Sequence, residues 1–387
     1  MSGTGGRGSR PGGAWLWLAA LLLPLLAASP PLATTPPARL LVALDSELKA
    51  WAFRLRGRRP APQEPLILAI DADSLAAADL FSPAERAAAP LLRAMGPWPW
   101  PRAVQAELAA WVLERGAAQV VFNLVHSQPS RFGPEDDRAF VTRLAPWRER
   151  LVLPVSFMRD DQAGVEQRRL NRPHQVEGWP QARLPRLGLT TVLQSPQGLS
   201  EAIPGDNWLR ENLEGFARPW PLPLAFAAAG GSPPRAPLAI DFPGPAGTIT
   251  RVPAWRVPET GAAIWRGRTV VIGVTTADLG DQQETPFGPQ SGTDIEAAAL
   301  ATVLSGTGRL PLDGASRSAL LLLWGLTCWG LLQRGRHSRL SLSLALALAA
   351  GGLAAAACAW GLARRELPSS ALLLAPLLAG SVRAGGQ

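Results

Sequence analysis

Two carboxylates follow the first apolar run in the middle of the chain. Asp71 and Asp73 come directly after Pro65–Ile70, a run that predicts a short buried strand. Open α/β sheets bind ligands beyond the carboxyl ends of their strands, where paired carboxylates can hold a hard cation or act as acid and base. Aspartate in this place also caps the turn or helix that follows. The sequence favours capping, with ligand contact as the second interpretation and catalysis as the third.

Two tryptophans alternate with prolines a little further along the chain. In Pro97–Arg102 the prolines fix φ, so that Trp98 and Trp100 are presented on a stiff backbone. Such a platform can receive an apolar ligand or an arginine side chain. The favoured alternative is that one indole fills the core while Arg102 pairs with an acid.

Polar residues also stand near the ends of other predicted strands. Asn123 comes late in the run Gln119–Val125, and Asp278 follows Thr269–Val274. Because parallel strands bring their carboxyl ends to one edge of a sheet, we expect these side chains to meet there and bind a small ligand without turning it over. The candidate ligand-binding residues are Asp71, Asp73, Trp98, Trp100, Arg102, Asn123 and Asp278.

The sequence offers little for a metal ion or a cofactor. The acidic loop with Asp278, Asp281 and Glu284 can form a cation site with Asp71, but a solvated loop is the favoured interpretation. The three histidines lack the i, i+4 spacing of a helical zinc pair, and both cysteines lie in apolar C-terminal segments. Residues 244–247 lack the lysine of a phosphate-binding loop. We therefore expect no cofactor and no protein-made metal site.

Apolar runs and helix-capping signals alternate through this region. The predicted strands are Pro65–Ile70, Gln119–Val125, Leu151–Phe157, Leu238–Phe242 and Thr269–Val274. The predicted helices run from a capping box at Ser82–Glu85 towards Met95, over Arg102–Arg115, over Pro134–Leu144, and from a second box at Thr293–Glu296 to Leu304. This alternation predicts an α/β fold with a mostly parallel sheet and helices on both faces. The stretch Arg159–Pro221 shows little periodicity and is expected to be mostly loop.

The basic character of the chain is confined to its apolar flanks. The formal net charge is +8, yet Leu40–Leu312 holds 28 basic and 28 acidic residues. The other 10 arginines face only Asp313 and Glu366. A neutral middle between arginine-bearing apolar flanks is typical of a membrane protein and not of a phosphate-binding surface. Nucleic acid is therefore not an expected partner.

An uncharged segment, Pro11–Ala38, precedes the α/β region. Its apolar centre is Trp15–Ala28, and Arg7 and Arg10 stand before it. The same order of features fits a cleaved signal peptide, although prolines directly follow the small residues of the cleavage site. We expect an uncleaved anchor instead, with residues 1–13 in the cytoplasm and a transmembrane helix over residues 14–34.

Three apolar segments follow the α/β region, over residues 316–333, 340–363 and 367–382. Leu340–Ala363 has 24 residues without a charge, against the roughly 20 that a span requires. The loop Arg334–Arg339 is the densest positive cluster beside any span, so it is expected to be cytoplasmic. The α/β domain, residues 40–312, would then lie outside the inner membrane, and residues 383–387 would form a cytoplasmic tail. The small residues of Ala349–Ala357 are expected to let the helices pack closely.

Several short motifs, taken in chain order, resemble those of one family. They are Ile70–Ser74, Gly96–Arg102, Gly116–Phe122, Pro134–Asp137, Asp241–Thr248, Gly267–Thr275, Leu279–Asp281, Thr285–Phe287 and Gly292–Gly306. With one apolar segment before them and three after, they are similar to the second type of CHASE domain. That domain is the extracytoplasmic sensory module of bacterial cyclases, histidine kinases and serine/threonine kinases. The resemblance covers Leu40–Gly306.

The resemblance implies a ligand-binding sensor that is not an enzyme and that works as a homodimer. The chain departs from the family pattern at Asn123, where aspartate is usual, and at Glu296 and Ala298, where histidine and asparagine are usual. We expect no intracellular output domain, and therefore signalling through a separate kinase or cyclase. Ser127 and Ser195 lack the context of a nucleophile elbow. The alternative left open by the strand-end aspartates is an extracytoplasmic membrane-bound hydrolase.

Overall fold

The chain divides into two units, and an eight-stranded sheet forms the centre of the larger one. The computed structural model describes residues 36–88, 90–162, 165–180, 184–279, 282–333 and 338–385. The larger unit comprises Phe53–Gln194 and Gly198–Gly308, and the smaller one comprises Met1–Ala52, Ser195–Gln197 and Arg309–Gln387. The α/β region and the apolar C-terminal helices therefore belong to different units.

Strands and short helices alternate along the larger unit. Its strands are β1 (Leu66–Ile70), β2 (Gln119–Phe122), β3 (Leu151–Gln162), β4 (Val165–Asn171), β5 (Arg186–Leu189), β6 (Leu193–Gln194), β7 (Ser200–Ile203), β8 (Leu222–Pro223), β9 (Leu238–Ala239), β10 (Arg251–Pro253), β11 (Thr269–Val274), β12 (Gln282–Thr285) and β13 (Gly288–Ser291). After α1 (Pro36–Arg56), its helices are α2 (Ala72–Leu75), α3 (Ala77–Leu80), α4 (Pro83–Ala88), α5 (Pro90–Ala94), α6 (Arg102–Glu114), α7 (Pro134–Leu144), α8 (Asp206–Leu213), α9 (Leu224–Ala229) and α10 (Gly292–Ser305).

The main sheet has the strand order β10-β1-β11-β2-β3-β5-β8, and all of these neighbours pair in parallel. Strand β3 continues beyond the residues that pair in parallel. Its second half, Ser156–Gln162, pairs antiparallel with β4. Strands β6, β7 and β9 form a small antiparallel sheet, and β12 and β13 form a hairpin. The predicted α/β class and mostly parallel sheet are confirmed.

Both faces of the central strands are buried. Alternate residues of β1, starting at Leu66, belong to the core cluster that also contains residues of α6 and α7. Ala69 points to the opposite face, as does its register partner Gly273 in β11. A Cβ on Gly273 would meet Thr293 at the start of α10, so α10 covers that second face. All five side chains of β1 are buried, as expected for a strand covered on both sides.

Several predicted elements are confirmed with small changes at their ends. The helices Arg102–Arg115 and Pro134–Leu144 correspond to α6 and α7, and the strand Thr269–Val274 is β11. The second predicted strand ends at Phe122, three residues early, because the residues after Asn123 leave the sheet and line cavities. The third predicted strand, β3, is longer than predicted, because the residues from Ser156 onward pair with β4.

Two expectations for the second half of the domain were wrong. Only Leu238–Ala239 of the predicted strand Leu238–Phe242 is a strand, because the backbone N–H of Asp241 donates to Thr302 Oγ1 (3.0 Å) and Pro243 follows. Leu238–Ala239 pairs with β7 in the small antiparallel sheet and not with the main sheet. The stretch Arg159–Pro221 is not mostly loop, since it holds β4 to β7 and α8. Elements of two to eight residues are too short to show a periodicity in the sequence.

The helix-capping signals gave mixed results. The first capping box is confirmed: Glu85 accepts from the Ser82 N–H (2.8 Å), and Ser82 Oγ accepts from the Glu85 N–H (3.3 Å). The predicted helix is two helices, with Pro90, which has no N–H, at the start of the second. The second box was placed wrongly, since Ser291 caps α10 by accepting from the Asp294 N–H (3.1 Å).

The smaller unit contains the apolar C-terminal helices. They are α11 (Gly314–Gln333), α12 (Ser338–Cys358) followed by a π-helical turn (Ala359–Ala363), and α13 (Ser369–Gly385), and the short strands β14 (Leu310–Pro311) and β15 (Arg365–Glu366) pair in parallel. Two helices in the described part of the chain are long and apolar enough to cross a membrane, over Gly314–Leu332 and Leu342–Ala363. Helix α13 has 17 residues, fewer than the roughly 20 of a typical span. The predicted span at 14–34 and residues 334–337 of the basic loop lie outside the described residues.

A glycine allows the three C-terminal helices to approach one another. A Cβ on Gly352 of α12 would lie 2.9 Å from the backbone oxygen of Leu372 in α13 and 3.0 Å from the Trp324 indole of α11. Trp324 Nε1 also donates to that Leu372 oxygen (3.1 Å). The expected close packing through small residues is confirmed at this position.

Candidate functional site

A cavity of about 570 Å³ opens at the carboxyl ends of four adjacent parallel strands. Its walls include Asn123 after β2, Ser156 in β3, Thr190 after β5 and Val274 at the end of β11. We call it the strand-end cavity. Open α/β sheets place their ligands at this edge, and the volume lies within the range of small-molecule sites.

The first turn of α10 approaches this edge closely because β11 has a glycine there. A Cβ on Gly273 would lie 2.3 Å from Thr293 Oγ1, so a larger residue there would displace the Thr293 side chain. Thr293 Oγ1 donates to the Val274 carbonyl (2.7 Å) and accepts from Asn123 Nδ2 (3.2 Å). These bonds fix two polar side chains in the wall of the cavity.

Seven uncharged polar side chains share the lining of the strand-end cavity with apolar residues. Besides Trp98, Phe157 and other apolar residues, its lining contains Asn123, Ser156, Thr190, Thr191, Gln194, Gln283 and Thr293. The Gln283 amide oxygen accepts from Ser200 Oγ (3.0 Å) and Gln194 Nε2 (3.3 Å), which orders one side of the wall. Among the described lining residues, the one ionisable side chain is Glu296, which is buried, and none is Lys, Arg or His.

The predicted aspartates share the sheet edge but line no cavity. Asp71 Oδ1 accepts from the Ser74 N–H (2.9 Å) and caps α2, so the capping interpretation is confirmed. Asp73 is exposed on that helix, and Asp278 is exposed, with a hydrogen bond from Thr276 Oγ1 (3.3 Å). Asp281 lies outside the described residues. In the described parts of the chain, no group of three or more His, Cys, Asp or Glu side chains has the arrangement of a metal site.

A second cavity, of about 370 Å³, lies beside the proline-fixed tryptophans. Its lining includes Trp98, Trp100, Arg102, Gln105 and Phe132, and we call it the tryptophan cavity. Trp100 is 2% exposed, belongs to the main core and donates from Nε1 to the Gly96 carbonyl (2.8 Å). Trp98 is only half-buried and packs edge-on against Trp100. One indole therefore fills the core while the other remains open to the cavities.

Arg102 is held in a buried polar network behind the tryptophan cavity. Its guanidinium forms an ion pair with Asp137 and donates to the Gln128 carbonyl. The neighbouring carboxylate of Asp136 accepts from the backbone N–H groups of Arg102 (2.8 Å) and Ala103 (2.9 Å), at the start of α6. A carboxylate there satisfies free N–H groups and complements the helix dipole. The predicted pairing of Arg102 with an acid is confirmed.

His126 completes this network and is neutral at physiological pH. In the amide orientation that satisfies all partners, the Gln175 oxygen accepts from Arg102 (3.1 Å) and from His126 Nδ1 (3.0 Å). Burial, followed by the nearby positive charge of Arg102, lowers the pKa of His126 to about 4, against the opposing influence of Asp137 and Asp136. The imidazole therefore carries its proton on Nδ1 and leaves Nε2 as an acceptor.

We expect His126 to make the stability of the domain depend on pH. In the unfolded chain His126 has a pKa of 6.5 and is protonated below that pH. In the folded chain His126 becomes protonated only at about pH 4. The contribution of neutral His126 to the free energy of unfolding is therefore complete above pH 6.5. It is lost as the pH falls to about 4, by up to about 3 kcal/mol. Chemical denaturation of the full chain between pH 7.5 and 4 should show this loss, and His126→Gln should remove it. His174→Gln, next to exposed Glu177, is the control that should leave the profile unchanged.

Sequence reasoning missed most of the polar lining of both cavities. Thr190, Gln283 and Gln105 stand in no motif, and β5 and β12, which position the first two, were not predicted. Thr293 and Glu296 were noticed only as capping and family-departure positions. Among the polar residues that line the strand-end cavity, only Asn123 was predicted as a site residue, from its position near a strand end.

The domain is an α/β domain with a cavity at the carboxyl edge of its parallel sheet, the edge at which open α/β sheets in general bind ligands. The CHASE2 domain matches residues 18–334, and the chain therefore belongs to the CHASE2 domain family. CHASE2 domains are extracellular sensory domains of signal transduction and are generally non-catalytic. No curated protein matches the chain, and neither does any solved structure.

Proposed function

We propose that this chain is a membrane-anchored, extracytoplasmic sensor that binds a small ligand in the strand-end cavity. The observation that carries the proposal is the position of that cavity at the carboxyl ends of β11, β2, β3 and β5, in a family of sensory domains. The aspartates that a hydrolase would use lie outside both cavities, so the geometry favours binding over hydrolysis. The chain passes its signal to a separate kinase or cyclase and acts as a homodimer.

Contacts within the smaller unit support a multi-pass arrangement in the inner membrane. Strand β15, between α12 and α13, pairs with β14, directly before α11. The first and third of these helices therefore start at the same end of the bundle. At this end Lys49 forms an ion pair with Glu366 (2.9 Å), and Asp45 accepts from the Ser370 N–H (2.7 Å). Charged pairs at one end of apolar helices are typical of a membrane–water boundary.

Ligand capture can be tested on the full chain purified in mild detergent. We expect native mass spectrometry to detect a co-purifying small molecule that is lost in Thr191→Trp, because the indole would fill the strand-end cavity. Thr142→Trp, at an exposed position of α7, is the control and should retain the molecule. The absence of any bound molecule, or its retention in Thr191→Trp, would count against the proposed site.

The orientation can be tested with reporter fusions. A reporter active only in the periplasm should be active when fused after Leu312 or Leu367, and inactive when fused after Ser338. The reason is the arginine-rich loop at 334–339, which is expected to remain cytoplasmic. The opposite pattern of activity would place the α/β domain in the cytoplasm.

A further inference from the structure

The strand-end cavity and the tryptophan cavity have walls in common. Trp98, Leu124 and Val125 line both of them. Each volume, about 570 Å³ and 370 Å³, suits a small molecule or one part of a larger one. Neighbouring cavities separated by a shared side chain can hold successive parts of one elongated ligand, with Trp98 between them.

The strand-end cavity has the chemistry of a site for an uncharged, hydroxyl-rich molecule. Hydroxyl and amide groups both donate and accept hydrogen bonds, so they match alternating sugar hydroxyls. An anionic ligand would find no basic side chain among the described lining residues. Trp98 and Phe157 supply apolar faces on which the C–H surface of a sugar ring can pack.

The tryptophan cavity contains a buried acceptor that the folded chain leaves unsatisfied. Gln105 is 2% exposed, and its Oε1 has no hydrogen-bond partner among the described residues. Its Nε2 makes one long bond, to the Trp100 carbonyl (3.5 Å). A buried acceptor without a donor destabilises the free chain, and a ligand hydroxyl would satisfy it.

Charges in the tryptophan cavity are already neutralised or engaged. Arg102 is paired with Asp137, and His126 is neutral. At the rim, Arg131 donates to the Pro99 carbonyl (3.1 Å) and lies over the ring of Phe132, which is 46% exposed. This cavity therefore also favours an uncharged ligand that has an apolar face and donates hydrogen bonds.

We propose that the two cavities form one cleft for an uncharged oligosaccharide, with one sugar ring in each cavity and Trp98 between the rings. The proposal rests on the proposed sensor function and names the ligand class of that site. It requires a ligand of at least two rings, because a single ring would fill only one of the two cavities.

The test is calorimetry on the full chain in nanodiscs, since glycoside detergents would compete for the cleft. The probes are glucose, N-acetylglucosamine and their β-1,4-linked dimers and tetramers. We expect at least one dimer or tetramer to bind about tenfold more tightly than its monosaccharide. Gln105→Met and Phe132→Ala should reduce the longer probe to the affinity of the single ring. Leu80→Ala, at an exposed apolar position outside both cavities, is the control and should change nothing.

A second readout separates the role of Gln105 from a general loss of structure. Gln105→Met removes the unsatisfied acceptor, so the free chain should melt at a higher temperature even as its affinity for the longer probe falls. A lower melting temperature would show that Gln105 is structural. Phe132 is half-exposed in a loop, so its replacement keeps the test valid in that case.

The other outcomes distinguish this proposal from the sensor function. Equal affinity for one and two rings would overturn the joint cleft. If no sugar binds while a molecule of another class co-purifies with the chain and is lost in Thr191→Trp, the saccharide class is wrong and the sensor function stands. If no sugar binds and nothing co-purifies, both proposals fail.

Discussion

Replacing Trp100 by alanine is expected to destabilise the α/β domain by about 3–5 kcal/mol, the usual cost of removing a large buried aromatic side chain. The indole is 2% exposed, packs in the main core and satisfies its N–H within the chain. Chemical denaturation of the full chain, followed by near-ultraviolet circular dichroism, measures the change. Trp51→Ala, at a position 64% exposed, should change the free energy of unfolding by less than about 0.5 kcal/mol.

The alternative role of Trp100 predicts a different result. If the indole mainly captured ligand, Trp100→Ala would leave the unfolding transition in place and abolish only binding. Trp98 is the residue for which that second pattern is expected, because it is half-buried and lines both cavities.

Replacing Arg102 by leucine should cost about 3–5 kcal/mol, because it leaves the buried carboxylate of Asp137 without its cation. The matched control is Arg138→Leu, which breaks the exposed pair with Glu135, where a loss of at most about 0.5 kcal/mol is expected. Both changes are measured by the same denaturation experiment. The acids of the two pairs, Asp137 and Glu135, both lie on α7, but the pairs differ in burial.

A double variant tests the electrostatic reason. In Arg102→Leu with Asp137→Leu no charge is left unpaired, so most of the lost stability should return. If the double variant is as unstable as Arg102→Leu, the cost arises from lost packing or from the Gln128 contact instead. Equal losses in Arg102→Leu and Arg138→Leu would contradict the role of burial.

The features that could be predicted from the sequence are those that depend on residues close together in the chain. The run Leu66–Ile70 is apolar throughout, so its burial on both faces was predictable. Asp71 caps the helix that begins at the next residue by accepting from the Ser74 N–H, and Ser82 and Glu85 bond each other across one turn. The positions of the asparagine and of the aspartates near strand ends followed from the same local pattern.

The lining of the cavities could not be predicted because it depends on pairing between distant segments. Thr190 reaches the strand-end cavity only because the four-residue strand β5 adds to β3. Gln283 is placed there by the hairpin of β12 and β13, neither of which was predicted as a strand. Asp136 and Asp137 at the start of α7 were part of a family motif in the sequence. The hydrogen bond from the Ala103 N–H of α6 to Asp136, 33 residues away, could be found only from the fold.

The position of β11 has a consequence for how the chain is made. The first two strands of the main sheet, β1 and β2, are not neighbours, because β11 lies between them and β10 covers the other edge of β1. The partners of Ile67 in β10 and β11, Arg251 and Val271, emerge from the ribosome 184 and 204 residues after it. Until then β1 has two open edges, a state that slows folding and invites wrong pairing. The last strand of this sheet to be translated is therefore the one that joins the first two, and a nascent chain that stops before Thr269 cannot connect β10 and β1 to the rest of the sheet.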